Sequence, residues 1–291
     1  MARETARIQR EEQKKRDARN RWFLRGGIGL ALVAVAALVA VLIVGSIKPP
    51  SAGPLNMASD GILMQGDGTT VSAVPTAATA PDADPVPTDV SELTSTVNIA
   101  VYLDYLCPYC GQFETTNGAQ LASWLTAGNI TLETHPISIL DQSSAGSKYS
   151  TRSANAAACV ANYQPDSFLD VNTALFANQP TEGTTGLTND ELVSLVEEAG
   201  VTDKAVATCI TDQEFSDWVG TATDRALEEP LPNSSLDKLT GTPTVIVQGV
   251  QYQGDLADAA AFETFVMEQA TATSNTTGGE PTEESTPAPA E

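Results

Sequence analysis

The longest apolar stretch of the sequence runs from Gly26 to Ile47, 22 residues without a charged side chain. A helix of that length spans the roughly 30 Å hydrocarbon core of a bilayer. Residues 1–25 carry nine Lys or Arg against four Asp or Glu, and few basic residues follow the span. This asymmetry predicts a basic cytoplasmic tail at 1–25, one uncleaved plasma-membrane anchor at 26–47 and an extracytoplasmic remainder. A cleaved signal peptide is the alternative, although its apolar region is shorter, about 7–15 residues, and ends at a small-residue cleavage site.

The pattern changes after the anchor. Residues 48–90 are rich in Pro, Gly, Ala and Thr and predict a linker. A short hairpin interrupts it at 61–74, with Gly66-Asp67-Gly68 as its turn. Residues 271–291 contain almost nothing apolar and predict a disordered acidic tail. Residues 91–270, between the linker and the tail, are numerous enough to form one compact domain with a single core.

Within this domain, apolar runs of strand length alternate with helical patterns. They predict a strand at Val97–Leu103, a helix from Pro108 to about Ala127 and a strand at Ile130–His135. A mostly helical block follows at about 143–229. The chain then returns to two strands and a final helix, predicted at Thr244–Gln248, Gln251–Gly254 and Leu256–Gln269. This order, β-α-β, helical block, β-β-α, is typical of an α/β thioredoxin core with an inserted helical domain, here preceded by one transmembrane helix.

Charge divides at the anchor. The first 25 residues have a net charge of +5 and the remaining 266 have −27, which gives −22 for the chain. An acidic exterior without a basic stripe cannot neutralise phosphates, so nucleic-acid binding is excluded. All four cysteines follow the anchor, on the side where disulfides persist. The domain is therefore expected in an oxidising compartment.

Two of these cysteines form the motif Cys107-Pro108-Tyr109-Cys110 at a predicted strand-to-helix junction. Cys107 falls at the helix N-cap, where unpaired N–H groups and the helix dipole favour a thiolate and lower its pKa. Pro108 suits the first helical position. We expect Cys107 to be the nucleophile and Cys110, one turn further, to be the resolving thiol. A closed, inert disulfide is the structural alternative, whereas zinc is disfavoured because the chain has one His and no second CxxC. We expect no metal and no cofactor.

Thr242-Pro243 opens the second half of the predicted core. In a thioredoxin core such a proline lies beside the CxxC motif as a cis peptide, which leaves the backbone of Thr242 free to pair with an extended substrate. An ordinary trans proline at a strand edge is the alternative. The remaining cysteines, Cys159 and Cys209, lie in predicted helices of the inserted block. If 107 and 110 form the redox pair, these two are expected to form a structural disulfide, with buried free thiols or a second exchanging pair as alternatives.

Three further residues have candidate roles. Asp104, three residues before Cys107, could shuttle protons if it is buried behind Cys110, although a solvated carboxylate is the commoner case. His135 is the only histidine, and thiolate chemistry does not require it, so we interpret it as structural. Trp124 is interpreted as a packing residue.

The chain resembles the DsbA family, in particular the membrane-anchored members of Gram-positive actinobacteria. The resemblance covers about residues 58–270 and rests on Asp104-Tyr-Leu-Cys-Pro-Tyr-Cys-Gly111, Gly241-Thr-Pro-Thr244 and the stretch from Gly146 through Cys159-Val160. It implies an extracytoplasmic thiol–disulfide oxidoreductase that forms disulfide bonds in exported proteins, with Thr242 and Pro243 contacting substrate. It also implies reduced or unfolded exported proteins as substrates and a membrane partner that reoxidises the enzyme. The strongest oxidants of the family carry His where this chain has Tyr109, so a milder oxidant is expected.

Two alternatives remain open at this point. The first is an isomerase or reductase that a membrane partner keeps reduced. The second is a thioredoxin-fold binding module without enzymatic activity, for example a chaperone that holds Cu(I) between Cys107 and Cys110. The absence of a Met- or His-rich segment argues against copper.

Overall fold

The computed structural model describes residues 14–16, 52–81, 83–93 and 96–277. Contacts divide the chain into a unit at Met1–Pro49, of which only the helical residues 14–16 are described, and a unit at Pro50–Glu291. Among the described residues no helix is long and apolar enough to cross a membrane. The predicted anchor at 26–47 and the residues after 277 lie outside the described part.

The second unit is built on one six-stranded sheet with the strand order β2-β1-β4-β3-β5-β6. Its strands are β1 (Ile62–Gly66), β2 (Val71–Ala73), β3 (Val97–Leu103), β4 (Ile130–Pro136), β5 (Thr244–Val247) and β6 (Val250–Gln251). β3 and β4 pair in parallel, and the other neighbours pair antiparallel. The parallel pair requires a crossover connection, which is supplied by the first long helix.

Seven helices complete this unit within the described residues. They are α1 (Pro108–Thr126), α2 (Tyr149–Tyr163), α3 (Phe168–Ala177), α4 (Asn189–Glu198), α5 (Lys204–Asp212), α6 (Ser216–Glu228) and α7 (Ala259–Thr277). α1 and α7 share one face of the sheet, where the ring of Phe113 meets that of Phe262 edge-on at 5.3 Å. α2 to α6 form the inserted helical domain. The predicted thioredoxin core with a helical insertion is therefore correct.

The predicted linker hairpin belongs instead to the sheet. The hairpin predicted at 61–74 is confirmed, since β1 pairs antiparallel with β2. β1 also pairs with β4, with Ile62 opposite Thr134 and Met64 opposite Leu132, so the hairpin is part of the domain and not of a linker. Ile62 and Met64 are fully buried because their pairing places them in the central core. The domain consequently begins well before residue 91.

The last helix also differs from the prediction. It begins at Ala259 rather than Leu256 and continues past Gln269 to Thr277, into the segment predicted to be disordered. Residues 270–277 contain Ala together with Thr, Ser and Asn, which are weaker helix formers, and they extend a helix that tertiary packing has already nucleated.

Candidate active site

The two cysteines of the motif lie where β3 gives way to α1. Cys107 is the N-cap residue, with extended backbone angles (φ −72°, ψ 117°), and Pro108 occupies the first turn, as predicted. Both thiols are free, and Cys107 is 5% exposed against 2% for Cys110. Both thiols are therefore buried at the positive end of α1, with Cys107 the slightly more exposed of the two.

The surroundings of Cys107 favour its anion. The pKa of this thiol falls to about 6 because the Cys110 side chain hydrogen-bonds it, and the Thr242 side chain and the N–H groups of Cys110 and Tyr109 add to the effect against the cost of burial. In the neutral form the Cys107 thiol donates to the carbonyl oxygen of Thr242, at 3.3 Å. A thiol with this pKa is largely ionised at neutral pH.

Cys110 is shifted the other way. Burial raises the pKa of the Cys110 thiol well above its ordinary value, and the neighbouring Cys107 raises it further. Two thiols one helical turn apart thus differ strongly in acidity, because one takes the charge and the other provides a hydrogen bond to it.

The loop before β5 completes the site. The Thr242–Pro243 peptide bond is cis, as predicted. β5 pairs antiparallel with β3, with Thr244 opposite Tyr102, and this pairing brings the loop beside the start of α1. Pro243 lines the small cavity beneath Cys110. A proline here has no N–H to donate, so the sheet ladder begins only at the next residue.

Asp104 is fully buried, so a solvated carboxylate, the commoner case, is wrong here. Its two carboxylate oxygens accept hydrogen bonds from the backbone N–H groups of Leu106, at 2.8 Å, and Leu140, at 2.9 Å. Burial raises the pKa of Asp104 to about 6, while these N–H groups partly offset the shift. The bonds tie the segment before Cys107 to the loop after β4, which is a positioning arrangement.

Gln179, in the loop after α3, is a residue of the site that the sequence did not indicate. Its side-chain Nε2 donates to the carbonyl oxygen of Cys107, at 2.9 Å, and to that of Tyr105, at 3.1 Å. The side chain fills the space beside Gly111, where an added Cβ would lie 2.3 Å from its Oε1 atom. The inserted domain therefore holds the turn that carries the motif, and Gly111 is the residue that makes room for it.

The sequence also did not indicate Glu114, one helical turn after Cys110 on α1. A cavity of about 20 Å³ is lined by both side chains, and that volume accommodates one water molecule. Burial raises the pKa of the Glu114 carboxyl, while hydrogen bonds from the side chains of Thr173 and Asn172 oppose the shift. A partly buried acid thus lines the same small cavity as the less acidic thiol.

The remaining predicted residues lie elsewhere. The Tyr109 side chain is 65% exposed on the surface around the motif. His135 stacks on Tyr102, with ring centroids 4.2 Å apart, and the Trp124 ring lies 6.3 Å from that of Phe262. Cys159 on α2 and Cys209 on α5 form a fully buried disulfide, with their Cα atoms 5.8 Å apart. Within the described ranges no three His, Cys, Asp or Glu side chains form a group that could hold a metal ion.

A thioredoxin fold that presents an acidic thiol and a resolving thiol defines a class of protein, the thiol–disulfide oxidoreductases. The comparisons agree with this assignment. Residues 92–267 match the profile of the thioredoxin family. The reduced form of the Mycobacterium tuberculosis disulfide bond oxidoreductase DsbG is 28% identical, with a TM-score of 0.50, over 63% of this chain and 86% of that one. Reduced DsbA from the same organism is 26% identical, with a TM-score of 0.53, over 75% and 98%.

A third structure is similar in fold alone. It is MdbA, a thiol-disulfide oxidoreductase from Corynebacterium diphtheriae, 16% identical with a TM-score of 0.50 over 77% of this chain and 96% of that one. No curated protein sequence matches significantly. The chain belongs to the thioredoxin family, as a DsbA-type protein disulfide oxidoreductase.

Proposed function

We propose that this oxidoreductase is a membrane-anchored, extracytoplasmic oxidase that forms disulfide bonds in exported proteins through Cys107 and Cys110. The proposal rests on the difference in acidity between the two thiols. The pKa of Cys107 is lowered to about 6, whereas that of Cys110 is raised. A thiol of low pKa is a good leaving group, so a disulfide that contains it is readily attacked and oxidises its substrate.

The reaction starts from the Cys107–Cys110 disulfide. A substrate thiolate attacks the Cys107 sulfur, which breaks the disulfide and releases Cys110 as a thiolate that takes up a proton. A second substrate thiolate then attacks the substrate sulfur of this mixed disulfide and releases the Cys107 thiolate. The substrate gains one disulfide and loses two electrons, and the enzyme is left as the dithiol. A membrane partner that accepts two electrons would restore the disulfide.

Thr242 and Pro243 supply the substrate-binding edge in this scheme. The carbonyl oxygen of Thr242 is 3.3 Å from the Cys107 sulfur, and the cis-proline directly precedes β5 of the sheet. An extended substrate segment that pairs with this backbone places its own cysteine within reach of Cys107. The exposed ring of Tyr109 borders the same surface and adds no positive charge beside the thiolate, which favours a moderate rather than an extreme oxidant.

The central test is a trap. A Cys110→Ala variant of the full chain cannot form the Cys107–Cys110 disulfide, but its Cys107 thiolate can attack a disulfide of an exported protein, forming a mixed disulfide and releasing one substrate thiolate. Because the Cys110 thiol that would resolve this mixed disulfide is absent, the mixed disulfide accumulates. We expect exported proteins, recovered by non-reducing electrophoresis, to be linked to this variant and not to Cys107→Ala/Cys110→Ala. If no linked protein is recovered from either variant, the proposal fails. The anchor is tested separately, by the accessibility of each terminus to protease in intact and opened cells.

The direction of exchange has its own assay. An oxidase converts reduced, unfolded ribonuclease to a disulfide-bonded form, whereas an isomerase restores ribonuclease whose disulfides are scrambled. We expect the oxidised protein to act on the reduced substrate much faster than the reduced protein acts on the scrambled one. The opposite order would assign the isomerase function.

A further inference from the structure

The sheet face opposite the cysteines encloses a cavity of about 760 Å³. Alternate residues of a strand point to opposite faces, and β3 shows this division. Val101 and Leu103 line the small cavity beneath Cys110, whereas Ala100 and Tyr102 line this larger one. Its volume is within the range of about 300–1,000 Å³ that is typical of small-molecule sites.

Two loops close the sides of the cavity. One contains Thr88 and Val90, before β3, and the other contains Pro232 and Asn233, before β5. The Asn233 side chain donates to the carbonyl oxygen of Thr88, at 2.9 Å, and so joins the two loops. The space is therefore bounded by a rigid sheet on one side and by linked loops on the other.

The floor carries a buried carboxylate. Glu133 on β4 is 8% exposed, and its Oε1 atom accepts hydrogen bonds from the hydroxyl groups of Ser59 and Thr88. His135 Nε2 lies 3.7 Å from the same oxygen, beyond hydrogen-bond distance. The His135 ring is stacked on Tyr102, and its Nδ1 atom is buried without a partner among the described residues. Glu133, whose side chain is 11% exposed and is held by two neutral hydroxyls, is thus the charged group that the floor offers to a ligand.

The charges around the cavity determine which ligand fits. Among the described residues that line it there is one carboxylate, Glu133, and no Lys or Arg. Arg225 lies in an adjoining small cavity, but Asp60 already binds it with two hydrogen bonds of 2.6 and 2.7 Å. The one basic group beside Glu133 among the described lining residues is the His135 ring, whose Nε2 atom is 3.7 Å away. A buried carboxylate without a permanently charged partner favours a positively charged ligand and rejects an anion.

The remaining walls supply the rest of the recognition. Side chains of Leu63, Ala100 and Ile246 give apolar surface. Beside Glu133, the hydroxyl of Thr131 donates to Asn98 Oδ1 at 2.7 Å, and the Asn98 amide donates to Gln248 Oε1 at 3.0 Å. We propose that this cavity binds a small organic cation, an ammonium group on an apolar body, with the ammonium at Glu133 and the body against the apolar wall. This site is separate from the thiol chemistry and does not depend on the proposed function.

The test uses three probes with the same apolar body: 4-phenylbutylammonium, 4-phenylbutanol and 4-phenylbutyrate. Each is titrated calorimetrically into the full-length reduced protein at about 0.15 M salt, so that the overall negative charge of the chain is screened. We expect the ammonium to bind at least about tenfold more tightly than the alcohol, and the carboxylate not to bind. Equal binding of all three, or no binding of the ammonium, would overturn the proposal.

Two variants locate the binding. Glu133→Gln keeps the shape and an acceptor for Ser59 and Thr88 but removes the charge, so the ammonium should lose about tenfold in affinity and the alcohol should be unaffected. Ala100→Trp fills the cavity and should abolish binding of both. The matched control is Glu197→Gln, at an exposed position of α4. This substitution removes one surface charge and should change neither affinity. Unchanged ammonium binding in Glu133→Gln would contradict the assignment, even if Ala100→Trp failed to fold.

Discussion

The cysteine pair at the start of α1 and the pair that joins α2 to α5 are built in opposite ways. Cys107 and Cys110 are separated by two residues of one helix, and one of them is held as an acidic thiol by hydrogen bonds from the other, from Thr242 and from backbone N–H groups. Cys159 and Cys209 are 50 residues apart and lie on two packed helices, fully buried among apolar side chains. The first pair is surrounded by hydrogen-bond donors that stabilise a thiolate, whereas the second is surrounded by apolar side chains that only pack against it.

Burial alone does not distinguish the two pairs, and what differs is the position of each cysteine in its helix. Cys107 and Cys159 are both buried, at 5% and 0% exposure. Cys107 caps a helix and faces the cis-proline loop, whereas Cys159 lies in the middle of α2, where every N–H is already bonded along the helix. The inserted domain nevertheless acts on both pairs, since it contains the second disulfide and also contributes Gln179 to the first.

The largest contrast is expected from disabling each of the two cysteine pairs in turn. Cys107→Ser should abolish disulfide exchange and leave folding nearly unchanged, because the hydroxyl does not form the mixed disulfide. Cys209→Ser in a Cys159→Ser background should retain exchange but lose about 4 kcal/mol of unfolding free energy, the loop-closure value for a loop of this length. Urea unfolding and insulin reduction measure the two properties. Loss of exchange in the second variant at temperatures where it is folded would contradict the division of roles.

A smaller effect is expected from Glu114→Gln. The Cys110 thiol must lose a proton before it attacks a mixed disulfide, and the partly buried Glu114 carboxyl lines the same small cavity. General-base catalysis typically accelerates a reaction about 100-fold or more. We therefore expect resolution of a preformed mixed disulfide at neutral pH to slow by at least about tenfold in the variant. Stopped-flow measurement of substrate release gives the rate. The control is Glu263→Gln, at an exposed position of α7, which should leave the rate of resolution unchanged.

The smallest effect is expected from substitutions at the contact between the inserted domain and the cysteine motif, and it is an effect on the pKa of Cys107. Gln179→Ala removes the donor to the carbonyls of Cys107 and Tyr105, which loosens the first turn of α1 and exposes the thiolate to two uncompensated dipoles. The pKa of Cys107 should rise by about one unit, or about 1.4 kcal/mol. The neighbouring Asn178→Ala variant, which loses only a bond to its own helix, should leave that pKa unchanged.

Gly111→Ala gives an independent route to the same contact. Its Cβ would lie 2.3 Å from Gln179 Oε1 and must displace that side chain. Alanine favours helix by about 1 kcal/mol over glycine, so a purely structural view predicts a more stable protein of unchanged acidity. We expect a raised Cys107 pKa, and no further rise when both substitutions are combined. Additive shifts in the double variant would show that the two residues act separately.

Much of this site could be predicted because its signals are local. An apolar run followed by a proline at a helix start identifies β3, α1 and the N-cap position of Cys107 without long-range information. The disulfide between Cys159 and Cys209 followed from counting cysteines once the motif was assigned. Thr242-Pro243 was recognised because the order of elements placed it at the start of a core strand.

The features that were missed depend on contacts distant in sequence. Nothing near Gln179 indicates that its side chain reaches the carbonyl of Cys107, 72 positions away. The hairpin pattern at 61–74 predicts a strand at its start but does not specify a further partner in the sheet, so the pairing of β1 with β4 was not foreseen. The sequence favoured a solvated Asp104, because acidic side chains are usually exposed. Its burial depends on hydrogen bonds from two backbone N–H groups, one of them at Leu140.

The central claim is that the fold makes Cys107 acidic, and its titration tests this directly. In the reduced protein, thiolate absorbance and the rate of alkylation at Cys107 should follow one transition centred near pH 6. Because this folded pKa lies below that of an unfolded cysteine, about 8.5, Cys107 stabilises the reduced fold fully above that pH. This stabilisation should be lost as the pH falls through 6. A transition near 8.5, with no such pH dependence of stability, would contradict the account.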